Sequence, residues 1–268
     1  MGAGAAALIV ILVVVAGLAR QLAPYDPLEA DPSLLRSPPS VVHPLGTDHI
    51  GRDVLSRLMH GGRISFLVAV TSVVLGKAVG FSWGVASGYL GGKFDLISQR
   101  FLEVLLSFPG IILAILLLSV LGAGLHTVII AITIGGIASP TRIIRSVVLS
   151  VKEMTYVEAA RAIGASPIRI MALHVAPQCI APAMVVFSVS LGAAIFTEAA
   201  LSFLGLGIPQ PVPSWGNMLG GVVADVFKPP WWLVVFPGVT ITLTILAFNL
   251  LGDALRDYLD PRLRGQLQ

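Results

Sequence analysis

The sequence predicts an all-α, polytopic membrane protein with six transmembrane helices. Hydrophobic residues make up 56% of its 268 residues and charged residues only 12%, whereas a soluble domain carries about 25% charged residues. Six segments remain mainly apolar over the roughly 20 residues that a helix needs to cross a bilayer. The sequence lacks the short segments of alternating polarity that are typical of transmembrane β-strands.

The predicted spans follow one another along the whole chain. The first has no charged residue before Arg20 and lacks the basic start and cleavage site of a signal peptide, so we interpret it as a retained span. Pro109 predicts a kink in the third span, and Gly135, Gly136 and Pro140 interrupt the fourth. The six spans are predicted at residues 1–19, 64–90, 101–121, 125–148, 183–206 and 231–251.

These spans divide the chain into three parts. Residues 1–63 form a transmembrane helix and a long outer loop, residues 64–252 a transmembrane core with a connecting loop at 150–180, and residues 253–268 a C-terminal tail. The outer loop is rich in proline at first, which predicts extended backbone. Residues 50–59 then predict a short amphipathic helix that ends at Gly61-Gly62, lying on the membrane surface or packed on the rim of the bundle.

The distribution of lysine and arginine predicts the orientation. With the 150–180 loop in the cytoplasm, ten of these residues lie inside and six outside, which favours cytoplasmic N- and C-termini. The net charge is +3 and the sequence pI is about 9.3. No basic run accompanies this excess, so we attribute it to loops that face anionic lipid and not to nucleic-acid binding.

The second predicted span carries a glycine every fourth residue. Such a stripe leaves one helix face without side chains, so a neighbouring helix can pack closely against it. The glycines are Gly76, Gly80, Gly84 and Gly88.

Four polar residues in or near the spans are candidates for a translocation pathway or for polar contacts between helices. Lys77 lies near the middle of a span and either lines the pathway or pairs with Glu103 or Glu198, because a charge there is costly in lipid. Glu198 is buried by the same reasoning, and Asn249 marks the inner end of the last span. Residues 209–219 are too polar to span and predict an outer or re-entrant cap over a cavity.

The sequence offers no chemistry of its own to drive transport. Lys77 and Lys93 each follow a glycine, but Thr71 and Ser87 stand where a phosphate-binding loop needs its first glycine. The single Cys179 excludes a disulfide within the chain, and the five histidines are scattered, so we predict no metal, no bound cofactor and no enzymatic activity. An ion-coupled carrier, with Lys77 and the buried acids on a proton route, is the alternative from a different class.

The connector from Thr155 to Gln178 organises these elements. Thr155 and Glu158 have the spacing of a capping box, and Gly164 can supply a left-handed helix end. Ser166 and Pro167 then start a second helix. We therefore predict two short helices joined by an elbow of small residues, which is either a solvated connector or a surface that a partner approaches closely.

Several motifs resemble the membrane subunits of ABC importers. The run Glu158-Ala159-Ala160, with Arg161 next and Gly164 after it, is similar to the "EAA" signature of that family. Residues 43–66, 88–95, 198–219 and 248–264 resemble the branch that moves dipeptides, oligopeptides, nickel and related cargo. Within that branch, the chain looks most like the dipeptide permease C type, the second of two paired subunits.

The resemblance implies a type I ABC importer permease fold in a bacterial inner membrane. Glu158, Ala159, Ala160, Arg161 and Gly164 would contact an ATPase. The implied partners are a homologous second permease in a heterodimer, two ATPase subunits that use ATP and Mg, and an extracytoplasmic solute-binding protein. The implied cargo is a di- or oligopeptide, with nickel, glutathione or haem as alternatives.

The chain departs from the family pattern in three places. The segment before the first span is short, Leu173 and Gln178 replace a basic residue and an asparagine, and Lys77 is unexpected. Because Lys77 is unexpected, the resemblance does not predict the charge of the pathway.

Overall fold

The computed structural model describes residues 2–223 and 229–259, and throughout that part of the chain the regular elements are helical. One isolated bridge pairs Thr47 with Asp53. The α-helices are α1 (Gly2–Gly17), α2 (Ala19–Leu22), α3 (Val54–Leu90), α4 (Gly92–Ser107), α5 (Gly110–Leu121), α6 (Leu125–Gly135), α7 (Ala138–Val151), α8 (Thr155–Ala162), α9 (Pro167–Ile170), α10 (Ile180–Phe203), α11 (Trp215–Val223) and α12 (Trp231–Leu259). A π-helical turn (Met171–Val175) and a 3-10 turn (Ala176–Cys179) join α9 to α10.

Within residues 2–223 and 229–259, four helical stretches are long and apolar enough to cross a membrane, and a fifth is added if the bent pair α4–α5 counts as one span. The four are Val54–Leu90, Leu125–Val151, Pro167–Phe203 and Trp231–Leu259. The prediction of six spans is therefore not confirmed. The first predicted span begins at Met1, which lies outside the described residues, and α1 has 16 residues, about 24 Å against the roughly 30 Å of a hydrocarbon core.

The third predicted span is a break and not a kinked helix. The axes of α4 and α5 meet at 88° across Phe108 and Pro109. Phe108 is extended, with φ −93° and ψ 132°, because the ring of the following proline disfavours helical backbone at that position. Residues 101–107 consequently belong to α4. The fourth predicted span differs, since Gly136 and Ile137 keep near-helical dihedral angles and Leu125–Val151 remains one apolar stretch.

Helix α3 is the longest element of the bundle, and it corrects the prediction of a separate amphipathic helix at 50–59. Asp53 caps its start, because its carboxylate accepts the Ser56 amide at 2.8 Å. The helix then continues through Gly61 and Gly62. These glycines do not end the helix. They leave room for the indole ring of Trp215, because a Cβ on Gly62 would lie 2.9 Å from that ring.

The bundle is assembled around α3 and α10. Helix α3 packs on α7, α6, α10 and α1, while α12 packs on α10 and α1. The apolar core between them includes Phe66, Ile195, Trp215 and Phe248. The predicted tail 253–268 begins inside α12, and its residues 260–268 lie outside the described part of the chain.

The four glycines of the stripe lie buried against the α6–α7 stretch. A Cβ would meet Thr133 O at 3.1 Å from Gly76, Ile137 O at 2.9 Å from Gly80, Thr141 O at 2.7 Å from Gly84, and the Val148 Cβ at 2.8 Å from Gly88. Backbone atoms form most of these contacts, so a larger residue cannot be accommodated by rotating a side chain. The stripe brings the two helix backbones together.

Replacing Gly84 by alanine is expected to destabilise the fold by about 1–3 kcal/mol, because the added methyl group would displace the α7 backbone. The matched control is Gly238→Ala in α12, where nothing lies within 4 Å of the added atom, so it should raise stability by up to about 1 kcal/mol. Thermal unfolding of the detergent-purified variants measures both. Equal midpoints for the two variants would contradict close packing at the stripe.

Candidate functional site

The connector begins one residue earlier than the predicted capping box. Met154 is the N-cap, and its carbonyl accepts the amides of Val157 at 2.9 Å and Glu158 at 3.2 Å. Thr155 is already helical, and no side chain caps α8. The capping box is therefore wrong, because Met154, with φ −77° and ψ 144°, has the extended backbone that an N-cap requires.

The elbow itself is confirmed. Gly164 is left-handed at φ +79°, its amide donates to Arg161 O at 3.0 Å, and the Ala165 amide donates to Ala160 O at 3.1 Å. These two bonds define a Schellman ending, which favours glycine at the left-handed residue. Ser166 then caps α9 by accepting the Arg169 amide at 3.4 Å, and Pro167 is its first residue.

The connector has one face packed on the bundle and one face in solvent. Val157 and Ala160 are buried in a cluster with Val151 and Ile170, which joins α8 to α7 and α9. The opposite face is apolar yet open, because Ile163 is 85% exposed and Ile168 75% exposed. We call this face, formed by Ala159, Ile163, Gly164 and Ile168, the elbow surface.

The predicted coupling residues therefore fall into two groups. Glu158, Ala159 and Gly164 are exposed on or beside the elbow surface, whereas Ala160 is 5% exposed and holds α8 to the bundle. Arg161 is exposed, and its guanidinium carbon lies 5.4 Å from the centre of the Tyr89 ring at the end of α3. Hydrogen bonding to Tyr89 and the charges of nearby acids raise the pKa of Arg161.

A cavity of about 420 Å³ opens between α3, α5, α6, α7 and α10. This volume falls within the range of small-molecule pockets. Lys77 lies in its wall and donates from Nζ to the Gly136 carbonyl at 3.3 Å. Of the described residues that line the cavity, only Lys77 is ionisable.

The other polar candidates are not brought to this cavity. Glu103 is about half exposed and pairs with Arg100 at 2.9 Å and Arg142 at 3.5 Å. Glu198 is fully buried and accepts the hydroxyl groups of Ser65 and Ser202, on α3 and α10. Asn249 is exposed on α12. Lys77 thus contacts a backbone carbonyl, and the predicted pairing with Glu103 or Glu198 is not formed.

One ion pair that the sequence analysis missed fixes α4 to the bundle. Arg145 on α7 donates from Nε and Nη2 to the two carboxylate oxygens of Asp95, both at 2.6 Å. Ser87 on α3 donates to the same carboxylate. The available signal was Asp95 in the first turn of a helix behind Gly91-Gly92, but nothing in the sequence singles out its partner 50 residues away.

Comparison with known proteins identifies the family. Residues 80–265 match the family described as "Binding-protein-dependent transport system inner membrane component". The chain belongs to this family. It is the permease subunit of an ABC importer, a multi-pass protein of a bacterial inner membrane, and the ion-coupled carrier is thereby set aside.

Several proteins are similar to this permease. The glutathione transport system permease protein GsiD of Escherichia coli (strain UTI89 / UPEC) is 44% identical over 266 residues, which cover 99% of this chain and 88% of GsiD. GsiD of Shigella boydii serotype 4 (strain Sb227) is 43% identical over the same shares.

Solved structures share the fold at low sequence identity. A chain of the MetNI methionine ABC transporter, in an inward-facing conformation, has a TM-score of 0.64 and 17% identity, with 77% of the permease and 97% of that chain covered. A chain of an amino acid ABC transporter has a TM-score of 0.57 and 15% identity, over 76% and 94%. This likeness agrees with the ABC importer permease fold that the resemblance implies.

The loop before α3, which the sequence predicts on the outer side, holds a buried charged network that the sequence does not predict. Asp48 accepts from Arg52 Nε at 2.7 Å and lies 3.6 Å from Arg57 Nε, and both arginines are at most 3% exposed. The sequence pattern places both arginines off the apolar face of the helix predicted at residues 50–59, yet the structure buries them. Asp53 pairs with His43 Nδ1 at 2.9 Å and also caps α3, so the network fixes the loop to the bundle.

The segment predicted as an outer cap docks against this network. Gln210 accepts from both terminal nitrogens of Arg52 at 3.4 Å, and Asn217 donates to Val212 O at 2.7 Å. Trp215 is buried beside α3, and its indole donates to Leu58 O at 2.9 Å. None of the residues 209–219 lines the 420 Å³ cavity, so the segment covers the end of the bundle where α3 begins and not the cavity itself.

Proposed function

We propose that this permease forms half of the translocation pathway for di- and oligopeptides delivered by an extracytoplasmic solute-binding protein. It would pair with a homologous second permease in a heterodimer and be driven by two separate ATPase subunits. The chain itself would be non-catalytic and bind no cofactor, with ATP and Mg used by the ATPases. Both termini and the elbow surface would then lie in the cytoplasm, as the lysine and arginine distribution predicts.

Glutathione is the leading candidate for the cargo. The relatives at 43–44% identity are named for glutathione transport, and the chain aligns with them over 99% of its length. Glutathione is a tripeptide, so it falls within the predicted peptide class. Nickel and haem are therefore weaker candidates for the cargo. In the parts of the chain that the structure covers, no group of three or more metal-binding side chains is found.

The elbow surface is the observation that supports coupling to an ATPase. Ile163 at the end of α8 and Ile168 in α9 are 85% and 75% exposed on either side of Gly164, while Val157, Ala160 and Ile170 of the same two helices are anchored in the bundle. Exposed apolar side chains on a firmly held segment are typical of a docking site. Because α8 packs on α7 and α9, a displacement of the elbow would move both helices together.

Coupling further requires that the ATPases bind the elbow differently in their nucleotide-bound and free states. Closure of the ATPases would then change the relative positions of the α6–α7 and α9–α10 stretches. Both stretches contribute to the wall of the 420 Å³ cavity.

Co-purification tests the proposed assembly. Affinity-tagged permease expressed with its neighbouring genes should retain an ATPase and a second permease through detergent purification. Peptide-loaded binding protein should then stimulate ATP hydrolysis by the reconstituted complex. A permease that purifies alone and moves peptide without nucleotide would contradict the proposal.

Charge reversal at Glu158 is expected to abolish substrate-stimulated ATP hydrolysis. Lysine there would place a positive charge in the first turn of α8, against the helix dipole, and would change the sign of the charge beside the elbow surface. The matched control is Glu153→Lys, which reverses an exposed acid before the helix begins. Equal stimulation of both variants would refute a role for Glu158 in docking.

A further inference from the structure

The 420 Å³ cavity has a distinctive chemical character. Its wall combines the ammonium group of Lys77 with the small residues Gly76, Gly135 and Gly136, so a ligand can approach the backbone. No carboxylate is among the described residues that line it. An isolated positive charge in a confined, largely apolar cavity attracts an anionic group much more strongly than the same charge in water.

Among the described residues, none supplies a counter-ion to Lys77 in the cavity wall. Its Nζ donates to Gly136 O at 3.3 Å, a carbonyl at the C-terminal end of α6, where helix carbonyls are left without partners within the helix. A neutral carbonyl positions the ammonium group but leaves its charge uncompensated. Two further N–H groups of the ammonium group are free to bind an acceptor.

Other groups around the cavity fit the remainder of a peptide. Ser190 and Thr197 line the wall and donate their hydroxyl protons to carbonyls of their own helix, at 2.6 and 2.9 Å, so their oxygens are available as acceptors. Gly110 and Ile111 at the start of α5 also line it, and no side chain caps that helix. Its first amides add to the positive potential that Lys77 supplies.

We propose that Lys77 binds a carboxylate of the peptide as it passes through the cavity, so that the permease itself selects for anionic peptides. This inference rests on the proposed function, because it requires that a peptide crosses the cavity. Glutathione has the required chemistry, with two carboxylates and a net negative charge at neutral pH. Selection within the pathway would add to any selection by the binding protein.

The test compares uptake of glutathione with uptake of its diethyl ester, which lacks both carboxylates. The complete transporter, reconstituted in proteoliposomes, is assayed as wild type and as Lys77→Met, Lys77→Gln and Lys77→Arg. The ratio of glutathione uptake to ester uptake should fall about tenfold or more in the Met and Gln variants and stay near wild type in the Arg variant. Only ATP-dependent uptake is counted, because the ester also crosses the bilayer passively. A merely structural loss would lower both ATP-dependent rates equally and leave their ratio unchanged.

The control is Leu75→Met, which introduces the same side chain at a position that is 52% exposed on the outside of α3. It should leave the ratio unchanged. An unaltered ratio in both the Met and the Gln variants would overturn the role of Lys77 while leaving the proposed function intact. If wild-type transporter moved neither glutathione nor any labelled di- or oligopeptide, the proposed function would fail, and this inference would fail with it.

Discussion

Replacing Gly164 by aspartate should abolish substrate-stimulated ATP hydrolysis while leaving membrane insertion intact. The residue is at the tip of the elbow, and no atom lies within 4 Å of where a Cβ would be, so the new side chain would project into open space. That space is where an ATPase would dock. The carboxylate would lie on an apolar surface beside Ile163 and Ile168, and burying an unpaired charge there costs several kcal/mol on docking.

Two further substitutions separate charge from backbone strain. Asparagine has nearly the same shape as aspartate without its charge, and it tolerates the left-handed conformation at φ +79°. Alanine adds only a methyl group but costs about 1–2 kcal/mol in that conformation. We expect Gly164→Asn to retain more stimulated hydrolysis than Gly164→Asp in reconstituted transporter. Normal stimulation in the aspartate variant would exclude the elbow as the coupling surface.

Features that depend on local backbone geometry could be predicted from the sequence. The left-handed turn at Gly164 and the restart at Ser166-Pro167 follow from residues that are close together in the chain. Pro109 predicts a bend at the right position in the chain. The angle of 88° could not be predicted, because it depends on how α4 and α5 pack on other helices. The predicted N-cap of α8 is one residue too late, because the side chain of Met154 is not of a type that favours the N-cap position.

Features that depend on distant partners could not be predicted. Gly61 and Gly62 look like a helix end until Trp215, more than 150 residues away, is seen to pack against them. Arg52 and Arg57 look like the polar face of a surface helix until Asp48 is placed between them.

Lys77 illustrates the same limit within the candidate site. The cost of a charge in lipid predicts that its side chain turns inward, towards the bundle interior or water. Its actual partner, the Gly136 carbonyl, is set by the close packing of α3 on the α6–α7 stretch. Because this partner is a neutral backbone carbonyl, a prediction that Lys77 pairs with an acidic side chain selects the wrong residues.

Removal of the Asp48 carboxylate is expected to detach the loop before α3 from the bundle, at a cost of about 3–5 kcal/mol in the free energy of unfolding. Asp48 accepts the amides of Ile50 and Arg52, both at 3.0 Å, in addition to its contacts with two guanidinium groups. In Asp48→Ala, Arg52 and Arg57 would remain buried without a carboxylate. Leaving buried charges unpaired costs far more than losing an exposed ion pair.

The measurement combines the thermal midpoint of the detergent-purified permease with limited trypsin digestion. Cleavage after Arg52 and Arg57, which are 3% and 2% exposed, should become rapid in Asp48→Ala. The rate of cleavage of Asp48→Asn should lie between those of the wild type and Asp48→Ala, because the amide oxygen of asparagine can still accept the two backbone amides. Asp26→Ala is the control: the carboxylate of that exposed residue of the same loop accepts the Leu28 amide, so its loss should cost about 1 kcal/mol or less. Trypsin resistance in Asp48→Ala equal to that of the control would show that the network does not hold the loop.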